Sequence, residues 1–246
     1  MYVYIYIYIY IYIYGLKRGS HTFQVINTMA KAVLLLLLPL LLVLLPPPFG
    51  CVAQLAKEFC VADLASTDTP AGYPCKPQAA VTADDFYYRG LGTTGPIIQP
   101  FKISLSSAFV TNFPGVNGFG ISAARVDLAV GGVVPLHWHP AATELIFVLE
   151  GTLSCGFISA TSNRVYTNTL YKGDLMVLPQ GQQHFQYNIG NTTAAALSTY
   201  SSHNPVVQTL DFALFANNLP TEVVSKVTLL DDLQVKKLKA IFGGTG

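Results

Sequence analysis

Three histidines and one glutamate in this chain stand at spacings that favour a metal site inside a β-barrel. His137 and His139 are two residues apart, Glu144 follows five residues later, and His184 lies forty residues further on. Side chains two residues apart project from the same face of a β-strand. Three nitrogen ligands and one carboxylate suit a divalent metal that keeps coordination positions open for water or a small substrate. We therefore predict that these four side chains bind one metal ion.

Turn residues at fixed offsets frame both segments. Gly131 stands six residues before His137, and Gly151 stands seven residues after Glu144. The second segment carries further turn residues ahead of His184, namely Gly173, Pro179 and Gly181. Such residues mark turns that aim the flanking strands into one cavity. A chance cluster of core or surface histidines is the alternative, and these added constraints disfavour it.

The two segments resemble the paired motifs of the cupin superfamily. Residues 131–151 match G-x5-H-x-H-x4-E-x6-G, and residues 173–188 match G-x5-P-x-G-x2-H-x3-N. The stretch from residue 54 to 246 is similar to plant germin-like proteins, and most similar to the branch described as auxin-binding. The resemblance implies an all-β fold, a single cupin jelly-roll β-barrel with C-terminal helices. It also implies manganese as the metal and a hexamer built as a trimer of dimers.

The pattern of the body is consistent with that fold. From about residue 97 to 201, short apolar runs alternate with turn residues, which favours an antiparallel sandwich or barrel. After Glu144 a period of two places Ile146 and Val148 on the same face as the glutamate. Leu145, Phe147 and Leu149 fall on the opposite face, which is therefore apolar as well. An apolar outer face predicts packing on another layer or another subunit.

The tail after Pro205 is expected to be helical. Thr221 and Asp231 are available as N-caps, and Gly243 follows the second helical stretch as a stop. Covering the barrel and clasping a neighbouring subunit are both open as roles for these helices, and the family resemblance favours the clasp.

The front of the chain divides into two stretches that precede this domain. Residues 2–14 alternate tyrosine and isoleucine almost without exception, as a translated TA repeat does, so we interpret residues 1–28 as an unstructured gene-model extension. Residues 29–53 have a short basic start, a leucine-rich run too short to span a bilayer, and small residues before Gln54, which is typical of a secretory signal peptide. A retained anchor is the alternative. The mature chain, residues 54–246, is then one germin-like cupin domain without a membrane span.

Charge argues against nucleic acid as a partner. Residues 54–246 contain eleven lysines and arginines against thirteen acidic residues, and the basic residues are scattered.

Two kinds of residue fit an oxidising, extracellular compartment. Cys60 and Cys75 bracket a polar, turn-rich loop, and we expect a disulfide between them. The resemblance to germin-like proteins implies a similar bridge. Cys155 lies in an apolar run and is expected to be a buried, inert thiol. Asn191 begins an Asn-Thr-Thr glycosylation sequon. These features predict secretion to the extracellular space, the apoplast and cell wall of the plant that the resemblance implies.

Two further polar residues could support the metal ligands. Gln186 and Asn188 share strand parity with His184, so they are candidate hydrogen-bond donors behind the site. Trp138 lies between the two ligand histidines and is expected to face away. Lys172-Gly173-Asp174 resembles an adhesion tripeptide noted in germin-like proteins, although a tight turn is the favoured interpretation.

Three functions from different classes follow. A manganese site of this kind supports superoxide dismutation, an activity that the resemblance implies. A second hypothesis is a non-enzymatic binding protein for auxin or another small carboxylate, and a third is a wall-associated structural or storage protein. Oxalate oxidase is disfavoured, because Ala124 and Val134 stand where oxalate-oxidising germins carry asparagines that hold the substrate.

Overall fold

The computed structural model describes residues 58–246. The interpretations of residues 1–28 and residues 29–53 concern residues outside this range. The strands, in chain order, are β1 (Ile97–Ile98), β2 (Ile103–Ala108), β3 (Ser122–Leu128), β4 (Val133–Trp138), β5 (Glu144–Glu150), β6 (Thr152–Ile158), β7 (Val165–Tyr171), β8 (Leu175–Leu178), β9 (Gln183–Asn188), β10 (Ala194–Tyr200) and β11 (Gln208–Thr209). The helices are α1 (Leu210–Phe215), α2 (Thr221–Thr228) and α3 (Asp232–Phe242), with short 3-10 turns at Gln78–Ala80, Ala83–Phe86 and Pro114–Val116.

The strands form two antiparallel sheets. The six-stranded sheet has the order β1-β2-β3-β10-β5-β8, and the five-stranded sheet has the order β11-β4-β9-β6-β7. Neighbours that are far apart in sequence, such as β3 and β10, show that long connections cross between strands, as in a jelly roll. The prediction of an all-β fold with C-terminal helices is confirmed.

Alternation along β5 places one face in the core and the other in solvent. Glu144, Ile146 and Val148 are buried, whereas Leu145 and Phe147 are exposed. The inward side chains of both sheets meet in a core cluster of Ile103, Val126, Leu128, Ile146, Val148, Leu153, Cys155, Leu170, Leu178, Ala194 and Ala196. Gly151 has φ +79 in the tight β5–β6 turn, and a Cβ there would lie 2.7 Å from Ala194. The turn therefore requires glycine for both backbone and steric reasons.

The N-terminal arm is closed by the expected disulfide. Cys60 and Cys75 are bonded across a separation of fifteen residues. Asn117, which is buried, donates from its side-chain amide to the carbonyl oxygen of Tyr73 at 2.8 Å and thereby fixes this arm to the barrel. Cys155 is a buried free thiol, and burial raises its pKa to about 12. It is therefore inert at physiological pH, as expected.

The C-terminal helices follow the expected signals with one exception. Asp231 caps α3, because its carboxylate accepts a hydrogen bond from the backbone N–H of Gln234 at 2.8 Å, and Gly243 ends the helix with φ +79. The prediction that Thr221 caps α2 is wrong. Pro220 is the N-cap of α2 and Thr221 is its first helical residue, so the Thr221 hydroxyl accepts no hydrogen bond from its own helix. It donates instead to the carbonyl oxygen of Gly246.

No helix within residues 58–246 combines the length and the apolar character that crossing a membrane requires.

Candidate metal centre

The four predicted ligands come from both sheets. His137 lies on β4 and pairs directly with His184 on β9, and His139 follows one residue after β4 ends. Glu144 is the first residue of β5, in the opposite sheet, where it pairs with Tyr200 and Leu178. The site therefore lies between the sheets, inside the barrel.

The donor atoms converge on one point. One nitrogen from each imidazole and one oxygen of the carboxylate all lie within 4.8 Å of one another. The four residues are 5%, 4%, 2% and 1% exposed in the order His137, His139, Glu144 and His184. Burial of so many polar groups without a binding partner costs free energy, so the nitrogen and oxygen atoms of the cluster require a partner such as a metal ion.

Backbone contacts fix which nitrogen of each imidazole faces the centre. The Nδ1–H of His137 donates to the Pro135 carbonyl at 2.8 Å, and that of His184 donates to the Gln182 carbonyl at 2.8 Å. The Nδ1–H of His139 donates to the Val206 carbonyl at 2.6 Å. A carbonyl oxygen can only accept, so each Nδ1 carries a proton, and in the neutral imidazole each Nε2 then presents a lone pair. Metal-binding histidines are oriented in this way.

A cation resolves what is otherwise a conflict between lone pairs. Glu144 Oε2 lies 3.1 Å from His139 Nε2 and 3.2 Å from His184 Nε2. These three buried atoms have no hydrogen-bond partner among residues 58–246. Since each Nε2 is an acceptor, three acceptors face one another in a space closed to solvent. A metal ion at their centre satisfies all three, so the residues present fit a divalent metal.

The protonation states of the ligands also suit a metal. Burial lowers the pKa of His137 to about 3, and the neighbouring His184 adds to the effect, so this imidazole is neutral. His137 can therefore bind a metal through its neutral nitrogen without the loss of a proton.

Sequence reasoning did not find Ser198 or Tyr200, the residues of β10 beside the site. The Ser198 hydroxyl donates to Glu144 Oε1 at 2.6 Å. The Tyr200 ring packs against His139 with 4.9 Å between ring centroids, and burial, with the nearby Glu144 carboxylate, raises the Tyr200 pKa well above its usual value. The alternation of β10 gives the inward face of these residues, but nothing in the sequence places β10 beside β5.

The two proposed supporting residues differ in their surroundings. Gln186 is buried on the same face of β9 as His184. Asn188 is buried too, but its amide donates to the backbone carbonyls of Leu128, Ala129 and Thr192 at 2.9, 3.0 and 2.8 Å. The Asn188 amide therefore ties the β9–β10 turn to the end of β3. The expected role was a hydrogen bond to a metal ligand.

Apolar side chains within the barrel occupy the two positions at which oxalate-oxidising germins carry substrate-holding asparagines. Ala124 is fully buried and packs with Ala142 and Tyr200, and Val134 packs against the main core cluster. Neither can donate a hydrogen bond to a dianion.

Two features of the sequence lie on turns away from the site. Asn191 is exposed between β9 and β10. Asp174 accepts a hydrogen bond from the backbone N–H of Tyr171 at 2.8 Å, within the turn at Gly173, which has φ +94. The Asp174 carboxylate thus has a local role in the turn.

Comparison with known proteins assigns the family. Residues 89–236 match the Cupin family model. Germin-like protein 8-14 of Oryza sativa subsp. japonica is 59% identical over 218 residues, covering 89% of this chain and 100% of the relative. Auxin-binding protein ABP20 of Prunus persica is 53% identical over 189 residues, covering 77% and 88%. A solved structure of oxalate oxidase superposes with a TM-score of 0.72 at 33% identity, covering 76% of this chain and 96% of that one. This chain, with its buried three-histidine and one-glutamate cluster, belongs to the cupin family and to the germin-like proteins within it.

Proposed function

We propose that this protein is a secreted manganese protein that dismutates superoxide and releases hydrogen peroxide at the cell wall. The observation that carries the proposal is the buried cluster of His137, His139, Glu144 and His184, in which three lone pairs face one another without a proton between them. Manganese is the metal that the family resemblance implies. The donor set alone does not select it, since zinc and copper bind such sites more tightly.

Bound manganese would supply a centre that alternates between two oxidation states. Dismutation moves one electron from one superoxide ion to another and consumes two protons, giving dioxygen and hydrogen peroxide. The chain contributes the orientation of the imidazoles through the carbonyls of Pro135, Gln182 and Val206. Four protein donors leave about two positions of an octahedral ion for water or a small anion.

The surroundings of the site suit a small substrate. The family resemblance implies substrate-holding asparagines at the positions of Ala124 and Val134, and here both side chains present only methyl groups. Superoxide, a diatomic monoanion, needs no such contacts. For this reason oxalate oxidase remains disfavoured, although an oxalate oxidase structure has a similar fold.

Secretion to the apoplast is part of the proposal. The signal-peptide pattern of residues 29–53 supports it, and the proposal takes residues 54–246 as the mature domain and residues 1–28 as a gene-model extension. The Cys60–Cys75 disulfide and the exposed sequon at Asn191 fit an oxidising compartment and a glycoprotein. Association with the cell wall rests on the family resemblance.

We also propose that the protein assembles as a hexamer, a trimer of dimers. The outer face of the six-stranded sheet exposes a patch of large apolar side chains, namely Leu145, Phe147, Leu149, Leu175 and Val177. The helical tail exposes another, since Leu229 is 90% and Leu233 79% exposed in the single chain. Two separate apolar surfaces match the two kinds of contact that such an assembly needs.

The alternative function is binding of an auxin-like or other small carboxylate without catalysis. The relative named auxin-binding protein ABP20, at 53% identity, favours this alternative. A carboxylate that displaces water from the metal is a reasonable mode of binding, and it would depend on the same four residues.

Metal analysis and a superoxide assay on the secreted, purified protein test the proposal. We expect about one manganese per chain and superoxide removal that is lost in His137→Ala and kept in Glu150→Gln, an exposed carboxylate at the other end of β5. Metal loading with indole-acid binding, but without superoxide removal, would favour the binding protein. Protein without a transition metal would refute both.

A further inference from the structure

The two oxygens of Glu144 have different neighbours. Oε2 faces the Nε2 atoms of His139 and His184 at 3.1 and 3.2 Å, at the centre of the cluster. Oε1 points the other way and accepts a hydrogen bond of 2.6 Å from the Ser198 hydroxyl. The carboxylate is therefore asymmetric before any metal binds.

Ser198 is held rigidly in the position from which it donates. It is 0% exposed and lies on β10, between β3 and β5, where its backbone pairs with Ala124 on one side and Ile146 on the other. A hydroxyl that donates to a carboxylate forms a short, charge-assisted bond of about twice the usual strength. The serine therefore has little freedom to turn away from Oε1.

A carboxylate can bind a metal through one oxygen or through both. If both oxygens of Glu144 bound the ion, one of the positions left for water or substrate would be filled. The Ser198 hydroxyl competes for Oε1 and favours binding through Oε2 alone. The resulting site keeps one more position open than a bidentate glutamate allows.

We propose that Ser198 is a positioning residue that holds Glu144 as a one-oxygen ligand and so preserves an open coordination position. This inference rests on the proposed metal site, but not on which reaction occurs there. Ser198 lies outside both cupin motifs, because it follows His184 by fourteen residues and the second motif ends at residue 188.

The test compares wild-type protein with Ser198→Ala after each is loaded with Mn²⁺ alone. Electron–nuclear double resonance counts the water protons close to the ion, and EPR reports the symmetry of its ligands. In wild type we expect a signal from about two waters, and in Ser198→Ala about half that signal, because Oε1 joins the ion. Ser198→Cys, a similar volume with a weak donor, is expected to change the signal in the same direction, and serves if the alanine variant does not fold.

Ser104→Ala is the matched control. Ser104 is also buried, on β2 of the same sheet, and its hydroxyl has no hydrogen-bond partner within the described residues. This variant is expected to keep the wild-type spectrum. If the Ser198 variants bind Mn²⁺ with the wild-type spectrum and water count, the positioning role is overturned while the metal site stands. If wild-type protein binds no Mn²⁺, the metal site is overturned and this role with it.

Discussion

Replacing Glu144 by glutamine should stabilise the metal-free protein while it weakens metal binding. In the metal-free site, Oε2 lies 3.1 and 3.2 Å from two Nε2 lone pairs, with no proton between them. A glutamine at this position keeps an oxygen for the Ser198 hydroxyl and places an amide nitrogen where Oε2 was. That nitrogen can donate one hydrogen to His139 and the other to His184.

The size of the effect follows from the two new hydrogen bonds. Each adds about 0.5–1.5 kcal/mol to the free energy of unfolding, so the variant gains about 2 kcal/mol. A domain of this length changes its Tm by about 2–4 °C for each kcal/mol, which gives a rise of about 4–8 °C. In wild type, Mn²⁺ at about one hundred times its Kd adds about 2.7 kcal/mol, and the variant should gain much less at the same concentration.

Calorimetry of protein treated with a chelator, with and without added Mn²⁺, measures both quantities. Glu150→Gln serves as the control, because Glu150 is exposed at the far end of β5 and should change neither value. The reasoning is refuted if Glu144→Gln lowers the Tm of the metal-free protein. A charged imidazole paired with Glu144, and not a metal, would then account for the cluster. It is refuted equally if the variant keeps the full stabilisation by Mn²⁺.

Three further outcomes are expected. Burial lowers the pKa of His137 to about 3 from an ordinary 6.5, so the unfolded chain takes up a proton that the folded chain does not. The metal-free protein should keep its stability above about pH 6.5 and lose about 4 kcal/mol by pH 3, as measured by urea unfolding, and His137→Asn should lack that part of the loss. Asn188→Ala removes the side-chain hydrogen bonds to three backbone carbonyls and should cost about 2–4 kcal/mol, but the Tm shift caused by Mn²⁺ should persist. Replacing Cys60 and Cys75 by serine should cost about 3 kcal/mol in thermal unfolding, and an unchanged Tm would contradict it.

Local patterns carried much of the prediction. The spacing of His137, His139, Glu144 and His184, framed by turn residues, was enough to predict a metal-binding set, and these side chains do converge. The alternation after Glu144 predicted the buried and exposed faces of β5. Asp231 and Gly243 correctly predicted the ends of α3, because a cap is formed by residues within a few positions of the helix end.

The sequence by itself therefore determined the fold class, the four candidate ligands and the disulfide of the arm. It could not give the contacts that depend on which strands become neighbours. Ser198 meets Glu144 across fifty-four residues because β10 lies beside β5, and Thr221 donates to Gly246 because the tail folds back on α2. Asn188 has the strand parity of a residue behind the metal, yet the β9–β10 turn and the end of β3 take its hydrogen bonds. Periodicity is a property of consecutive residues, whereas the partner of a buried polar group is decided by the packing of distant segments.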